Sequence, residues 1–477
     1  MTEAKSGASR VAHEPEADPR RWRVLVVCLV AGFMTLLDVS IVNVALPSMQ
    51  AGLGTSPVAL AWVVSGYALT FGLVLVPSGR LGDDRGRSRV FLLSLVLFTA
   101  TSALAGFAAS PSWLVVSRLL QGMAGGMLNP QVLGLMQQMF RGSERGRAFG
   151  LFGAVVGIST AIGPLLGGLI LQLAGTEEGW RWVFFVNVPI GVGGLLYGLR
   201  VLPPNVSRAS GASLDLVGVL LLGGGLVSLL LPLVEQESGG SPWYLVIAAP
   251  VLLALFVLWE HRYEARGRSP LVDLRLFRTR SYAFGSSLGL VYFAGFTSIF
   301  FVLAVYLQRG LGYTPLQAGL TLTSFALGSA VASALGGRVV HRLGRRLVVV
   351  GLVAALVGLA ATDVLLRAHP GSYAGLVIAL PLLVAGTGSG LVIAPNQTVT
   401  LSEVSAAQGG TAAGVQQTGQ RLGSALGIAA ASGVFFSALG GGYDSAISAG
   451  MVVSVCFVAA ALVLGIVELF VDRPAAR

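Results

Sequence analysis

Apolar residues run along this chain in blocks of roughly 20 or more, and short polar, arginine-rich segments separate them. Fourteen blocks predict helices at 24–46, 58–79, 90–109, 112–139, 147–173, 182–201, 214–234, 242–260, 282–308, 315–337, 347–366, 372–400, 408–437 and 446–470. Each is long enough to cross a hydrocarbon core of about 30 Å. The pattern therefore predicts an all-α polytopic membrane protein. Polar residues 1–23 and 471–477 predict tails, the first of them disordered over most of its length. The first apolar block has full spanning length and no cleavage pattern, so it is expected to stay as a helix.

Charge then orients the helices. Of 31 basic residues, 26 fall in the tails and loops on the side of the N-terminus. Only Arg181, Arg309 and Arg367 fall in the opposite loops, and Arg118 and Arg421 lie inside helices. Positive charge is retained on the cytoplasmic side, which predicts both termini inside the cytoplasmic membrane. The same asymmetry accounts for the net charge of +10 without nucleic acid. Only 11% of residues are charged, against about 25% in soluble domains. All but one of the basic residues are arginine, which suggests a GC-rich bacterial genome. Cys28 and Cys456 lie in apolar blocks far apart and read as small packed hydrophobes. His13, His261, His341 and His369 are scattered without metal-ligand spacing. No phosphate-binding loop or hydrolase pattern is present, so neither ATP nor an enzyme activity is expected. No cofactor is expected beyond a proton gradient.

The chain echoes itself. GRLGDDRGRS at 79–88 follows the second predicted helix, and GRVVHRLGRR at 337–346 follows the tenth. Gly79, Arg80, Gly86 and Arg87 match Gly337, Arg338, Gly344 and Arg345 at a constant offset, and GMAGG at 122–126 is echoed by GTGSG at 386–390. Two parallel six-helix repeats follow, over 24–201 and 282–470. Residues 202–281 then form an inserted helix pair with its linkers.

Five local patterns carry a family resemblance across nearly the whole chain. They are LDVSIVNVALP at 37–47, GRLGDDRGR at 79–87, RLLQGMAGG at 118–126, GAVVGISTAIGPLLGGLI at 153–170 and WRWVFFVNVPIG at 180–191. Together they resemble the fourteen-helix drug:proton antiporter family of the major facilitator superfamily. The resemblance implies a major facilitator fold of two six-helix bundles plus two inserted helices. It also implies a monomer that exports drug-like small molecules. Gly153, Gly157, Gly163, Pro164, Gly167 and Gly168 match the antiporter signature of the fifth helix, which importers of the superfamily generally lack. Glycines on one face also let helix backbones approach closely. Gly79, Asp83 and Arg87 match the loop that pins helix ends in the outward-facing state. Here Asp83 is followed by Asp84 before Arg85, so the pairing of arginines with carboxylates is left open. His341 stands where the second copy would repeat Asp83.

Of 21 acidic residues, Asp38 alone sits well inside a predicted span, while Asp363 and Glu468 lie near helix ends and are expected to face water. Asp38 is about 14 residues into the first helix, or ~21 Å at ~1.5 Å per residue. Arg118 lands at a similar depth in the fourth. Each charge alone costs at least ~2.5 kcal/mol to insert, so the two are expected to pair. Desolvation raises a carboxyl pKa and a neighbouring arginine lowers it. A carboxylate whose pairing changes between conformations can therefore take up and release a proton. Asp38 is the expected proton site, with Arg118 as its modulating charge.

Other polar residues in spans mark a candidate substrate cavity: Asn43, Gln121, Asn129, Asn396, Gln397, Gln416, Gln417, Gln420 and Arg421. Trp62, Tyr67, Tyr292, Phe296 and Phe300 could supply its apolar surface. A single buried carboxylate argues against dications and favours lipophilic monocations or neutral compounds. The rival expectations are a facilitator-type nutrient importer and a membrane sensor that binds without transport.

Overall fold

The computed structural model describes residues 18–175, 177–204, 215–234, 244–369, 371 and 373–471. The predicted tails fall almost wholly outside them, and residues 21–23 open the first helix instead. Helices over the first repeat are α1 (Arg21–Leu53), α2 (Pro57–Arg85), α3 (Arg87–Gly106), α4 (Pro111–Met139), α5 (Gly142–Ala174), α6 (Trp180–Phe185) and α7 (Asn187–Val201). The insert holds α8 (Leu216–Val234) and α9 (Tyr244–Ala265). The second repeat holds α10 (Arg280–Val305), α11 (Pro315–Leu343), α12 (Arg345–Ala368), α13 (Ala374–Val377), α14 (Ala379–Thr400), α15 (Gly409–Ser437) and α16 (Tyr443–Val471).

Two expected single helices are each divided in two, and the cause is the same. Pro189 and Pro381 have no N–H for the carbonyl four residues back, at Phe185 and Val377. Those two residues end α6 and α13. Ser56, Ser110 and Thr314 cap α2, α4 and α11, each followed by proline at the first helical position.

Among the described residues, twelve helical spans are long and apolar enough to cross a membrane. α4 falls below that apolarity because it carries Arg118, Gln121, Asn129, Gln131, Gln137 and Gln138. The apolar part of α8 is described only over Leu216–Pro232.

Each repeat has its own buried core. Phe91, Phe98, Phe149 and Trp180 anchor the first, and Ile299, Leu352, Ile378 and Met451 the second. The repeats meet where α5 packs on α11 and α14, and where α2 and α4 pack on α15. Glycine makes the first seam possible. A Cβ on Gly146 would lie 2.6 Å from the Gly337 carbonyl, and one on Gly150 2.7 Å from that of Ser333. The backbones touch directly there. α8 and α9 pack against each other, α8 packs on α2 and α15, and Val76, Phe256, Leu271 and Val272 form a shared apolar cluster beside them.

Candidate functional site: a buried ion pair and an inter-bundle latch

α1 and α4 bring Asp38 and Arg118 into contact. Arg118 Nη1 donates to Asp38 Oδ2 at 2.6 Å, and both side chains are sealed from solvent. The other carboxylate oxygen, Oδ1, accepts from Gln121 Nε2 and Asn187 Nδ2, each at 2.9 Å. Arg118 also donates to Gln121 Oε1 at 2.8 Å and to the Val63 carbonyl at 3.0 Å. Its guanidinium carbon lies 4.2 Å from the Tyr67 ring centroid. A buried charge persists when paired and hydrogen-bonded on all sides, and both partners here are. Two members of this network, Asn187 and Ser102, escaped the sequence reading. Ser102 Oγ lies 3.1 Å from Asn187 Nδ2 and itself donates to the Phe184 carbonyl. Asn187 could have been found as a lone amide within the apolar run VFFVNVPIG.

The expected loop at 79–88 is helical except at Gly86, and from the end of α2 it contacts the second repeat. Asp83 accepts from the Gly410 N–H at 3.1 Å, and from the Thr411 N–H and hydroxyl at 2.8 Å each. Those donors open α15, where the helix dipole favours an anion. Arg87 holds Asp83 from the other side at 2.6 Å and reaches the Gly134 carbonyl and, across the interface, that of Ala406. Arg80 pairs with Asp84, which resolves the pairing the sequence left open. Gln137 adds bonds to the Leu401 and Val404 carbonyls at 3.0 Å each. Gly79 lies so close to the Gly410 carbonyl that a side chain would collide.

A family model described as Major Facilitator Superfamily matches residues 28–428. The chain belongs to that superfamily. It is a multi-pass membrane transporter. It is 37% identical over 444 residues to the "Probable actinorhodin transporter" of Streptomyces coelicolor, covering 92% of this chain and 77% of that one. It is also 37% identical to "Puromycin resistance protein pur8" of Streptomyces alboniger, covering 86% and 81%. The "Tetracenomycin C resistance and export protein" of Streptomyces glaucescens is 32% identical, covering 90% and 79%. Among solved structures, the human organic anion transporter MFSD10 superposes with a TM-score of 0.67 at 19% identity, covering 94% of this chain and all of that one. At that identity the likeness shows the fold.

The superfamily's antiporter string divides between two neighbours. Gly153 and Gly157 face α11, against Ser333 and Ala330. Gly163 and Gly167 face α1, against Ser40 and Ile41. Pro164 abuts Gly319, and Gly168 has open space around it.

The expected cavity residues do not form one group. Gln121 belongs to the Asp38 network. Asn129 is buried and bonds to the Gly125 carbonyl of its own helix. Asn396 is held by Arg345 and donates to the Gly285 carbonyl at 3.0 Å. Tyr292 is buried and stacks on Phe296, which meets Phe300 at 5.2 Å. Gln416 is fully buried, and neither amide atom has a hydrogen-bond partner. The amide nitrogen of buried Gln397 also has none. Asn43 is exposed, while Trp62, Gln417, Gln420 and Arg421 are partly exposed. Arg421 crosses from α15 to α2, its guanidinium carbon 4.5 Å from the Phe71 ring centroid.

Three further carboxylates are buried, one of them against expectation. Glu468 does not face water. It is 1% exposed and pairs with Arg345 at 2.6 Å, because α12 begins where α16 ends. Asp215 and Glu260 of the insert are buried too. Asp215 accepts from Trp259 Nε1 at 2.9 Å, and Glu260 accepts from the Val272 N–H at 3.1 Å. Asp363, expected to face water, is largely buried and pairs with Arg367 one turn along its helix. Cys28 is buried as expected, and Cys456 is exposed.

Proposed function

We propose that this chain is a proton-coupled exporter of drug-like lipophilic small molecules, working by alternating access in the cytoplasmic membrane. Its fourteen spans would be the twelve long apolar ones together with α4 and α8. The repeats over 24–201 and 282–470 would be the moving bundles, with both termini and the latch on the cytoplasmic side. The export named for the Streptomyces glaucescens relative supports the direction of transport.

The observation that carries the coupling is the buried Asp38–Arg118 pair. In this state the described hydrogen bonds to Asp38 come from Arg118, Gln121 and Asn187, which satisfy both carboxylate oxygens. Rocking of the bundles changes what those donors face. Losing Arg118 or Gln121 leaves a desolvated carboxylate, which then takes a proton. Protonation outside and release inside would drive substrate outward. With the latch closed, we assign this arrangement to the half of the cycle in which the cytoplasmic side is shut.

Purified protein in liposomes with an acidic lumen and a pH-sensitive dye tests the proposal. Wild type should release protons when a transported drug is added outside, and Asp38→Asn should lose at least about 90% of that flux while still binding the drug. Undiminished coupled flux in Asp38→Asn would falsify the assignment.

A further inference from the structure

Asp38 cannot recognise a cation, because it is sealed and neutralised by Arg118. The charge that remains available between the bundles is positive. Arg421 lies 12 residues into α15, hence ~18 Å from that helix's start and near mid-membrane. It is partly exposed, and no carboxylate among the described residues pairs with it. The carboxylate at comparable depth, Asp38, is committed to Arg118, while Asp83 and Glu468, nearer the helix ends, are committed to Arg87 and Arg345. Its guanidinium lies over the face of Phe71, with the Tyr67 hydroxyl group also near. An arginine kept at this depth without a counter-ion is costly and therefore marks a ligand charge.

The surroundings suit a flat aromatic anion. Arg421, Phe71, Tyr67 and Arg118 form a ladder across the interface, with spacings of 4.5, 5.9 and 4.2 Å between successive members. The Tyr67 hydroxyl in that ladder is buried and has no hydrogen-bond partner. Gln417 stands one turn from Arg421 on the same face of α15. Phe296 and Phe300 offer partly exposed rings from the second bundle.

We propose that Arg421 is the recognition site for the acidic group of aromatic substrates, a carboxylate, sulfonate or acidic phenolate. The substrate class is therefore anionic or weakly acidic aromatic compounds, instead of the lipophilic monocations or neutral compounds that a single buried carboxylate favoured. This rests on the exporter reading for its transport consequence, but the site itself concerns binding alone. A planar anion would displace the Phe71 face from the guanidinium, or slide between them. Because Phe71 leans on Tyr67, and Tyr67 on Arg118, occupancy would be felt at the proton site through contact.

The test compares two probes of nearly equal shape in lipid nanodiscs, with empty nanodiscs subtracted. They are 1-anilinonaphthalene-8-sulfonate and its uncharged relative N-phenyl-1-naphthylamine. Wild type should favour the sulfonate. Arg421→Gln should lower the ratio of the two affinities by about tenfold, the worth of one charge-assisted hydrogen bond. Arg421→Lys should recover part of that ratio. An unchanged ratio in Arg421→Gln overturns the proposal, and so does equal weakening of both probes, which would mean a packing role. Proton release with the same probes separates the two ideas. A shifted binding ratio without coupled flux in wild type would sink the exporter reading and leave the anion site standing.

Discussion

The junctions between the second and third helices of each repeat keep Gly79, Arg80, Gly86 and Arg87 in register with Gly337, Arg338, Gly344 and Arg345, and differ between them, most tellingly at Asp83 against His341. In the first copy, Gly79 lies against the Gly410 carbonyl and Asp83 holds the first turn of α15. In the second, Gly337 lies against the Gly146 carbonyl in the same way, but the position of Asp83 is His341, which is exposed. The close approach of backbones is kept in both. The anion at a helix N-terminus is kept in one. The arginines diverge as well. Arg87 pairs with Asp83 and reaches across to Ala406, whereas Arg345 pairs with Glu468 and Asn396 inside its own bundle. The lesson is a division of labour. Among the described residues, α5 and α11 meet through close glycine packing with no ion pair between them. The α2–α15 seam is fastened by charge and hydrogen bonds, which can be made and unmade.

The largest effect is expected where the second arginine loses its acid. Glu468→Gln strands Arg345 in a buried site, and breaking such a pair costs about 3–5 kcal/mol. The variant's melting temperature in detergent should fall clearly below wild type. Removing both charges, as Arg345→Met with Glu468→Leu, should recover most of the loss. If the single variant melts like wild type, the second arginine is not the internal brace described.

Next in size is the latch. Asp83→Ala removes three donors' acceptor across the interface, each bond to a charged group worth about 1.5–3 kcal/mol. Spin labels at exposed positions 85 and 403, in a chain lacking both cysteines, would report the separation. The closed population should drop by at least about tenfold, with a longer distance appearing. A distribution identical to wild type would mean that glycine packing holds this seam without the charges.

The smallest effect sharpens the contrast. His341→Asp restores the first copy's residue in the second. His341 is exposed and Arg345 is already engaged, so the change in stability should stay within about 0.5 kcal/mol. A marked stabilisation would show that the second loop can still latch and that the divergence lies in one residue.

The sequence told much of this, and unevenly. Helix positions followed from hydrophobicity because a membrane span must satisfy its own backbone and be apolar outside. The Asp38–Arg118 pair was legible because two opposite charges at one depth have few other options. Its partners were harder. Gln121 was placed in the cavity and instead serves Asp38, since a buried amide's partner depends on which helix it meets. Asn187 was overlooked because one polar residue in an apolar run gives no period. Glu468 looked exposed because a helix end in sequence can be an interior point in space when another helix starts beside it. The breaks at Val186 and Ile378 were readable from Pro189 and Pro381, had the missing N–H been traced back four residues.

The inserted helices also have a structural consequence. Glu260 holds the Val272 N–H, and the adjacent Asp273 accepts from Gln408, the residue that precedes α15, at 2.9 Å. The insert is thus strapped to the root of the same helix that Asp83 grips. It acts as a strut and not as a spliced-in ornament. A shortened chain that joined α7 directly to α10 would lose the strap together with the helices, and α15 would have to find a new mooring.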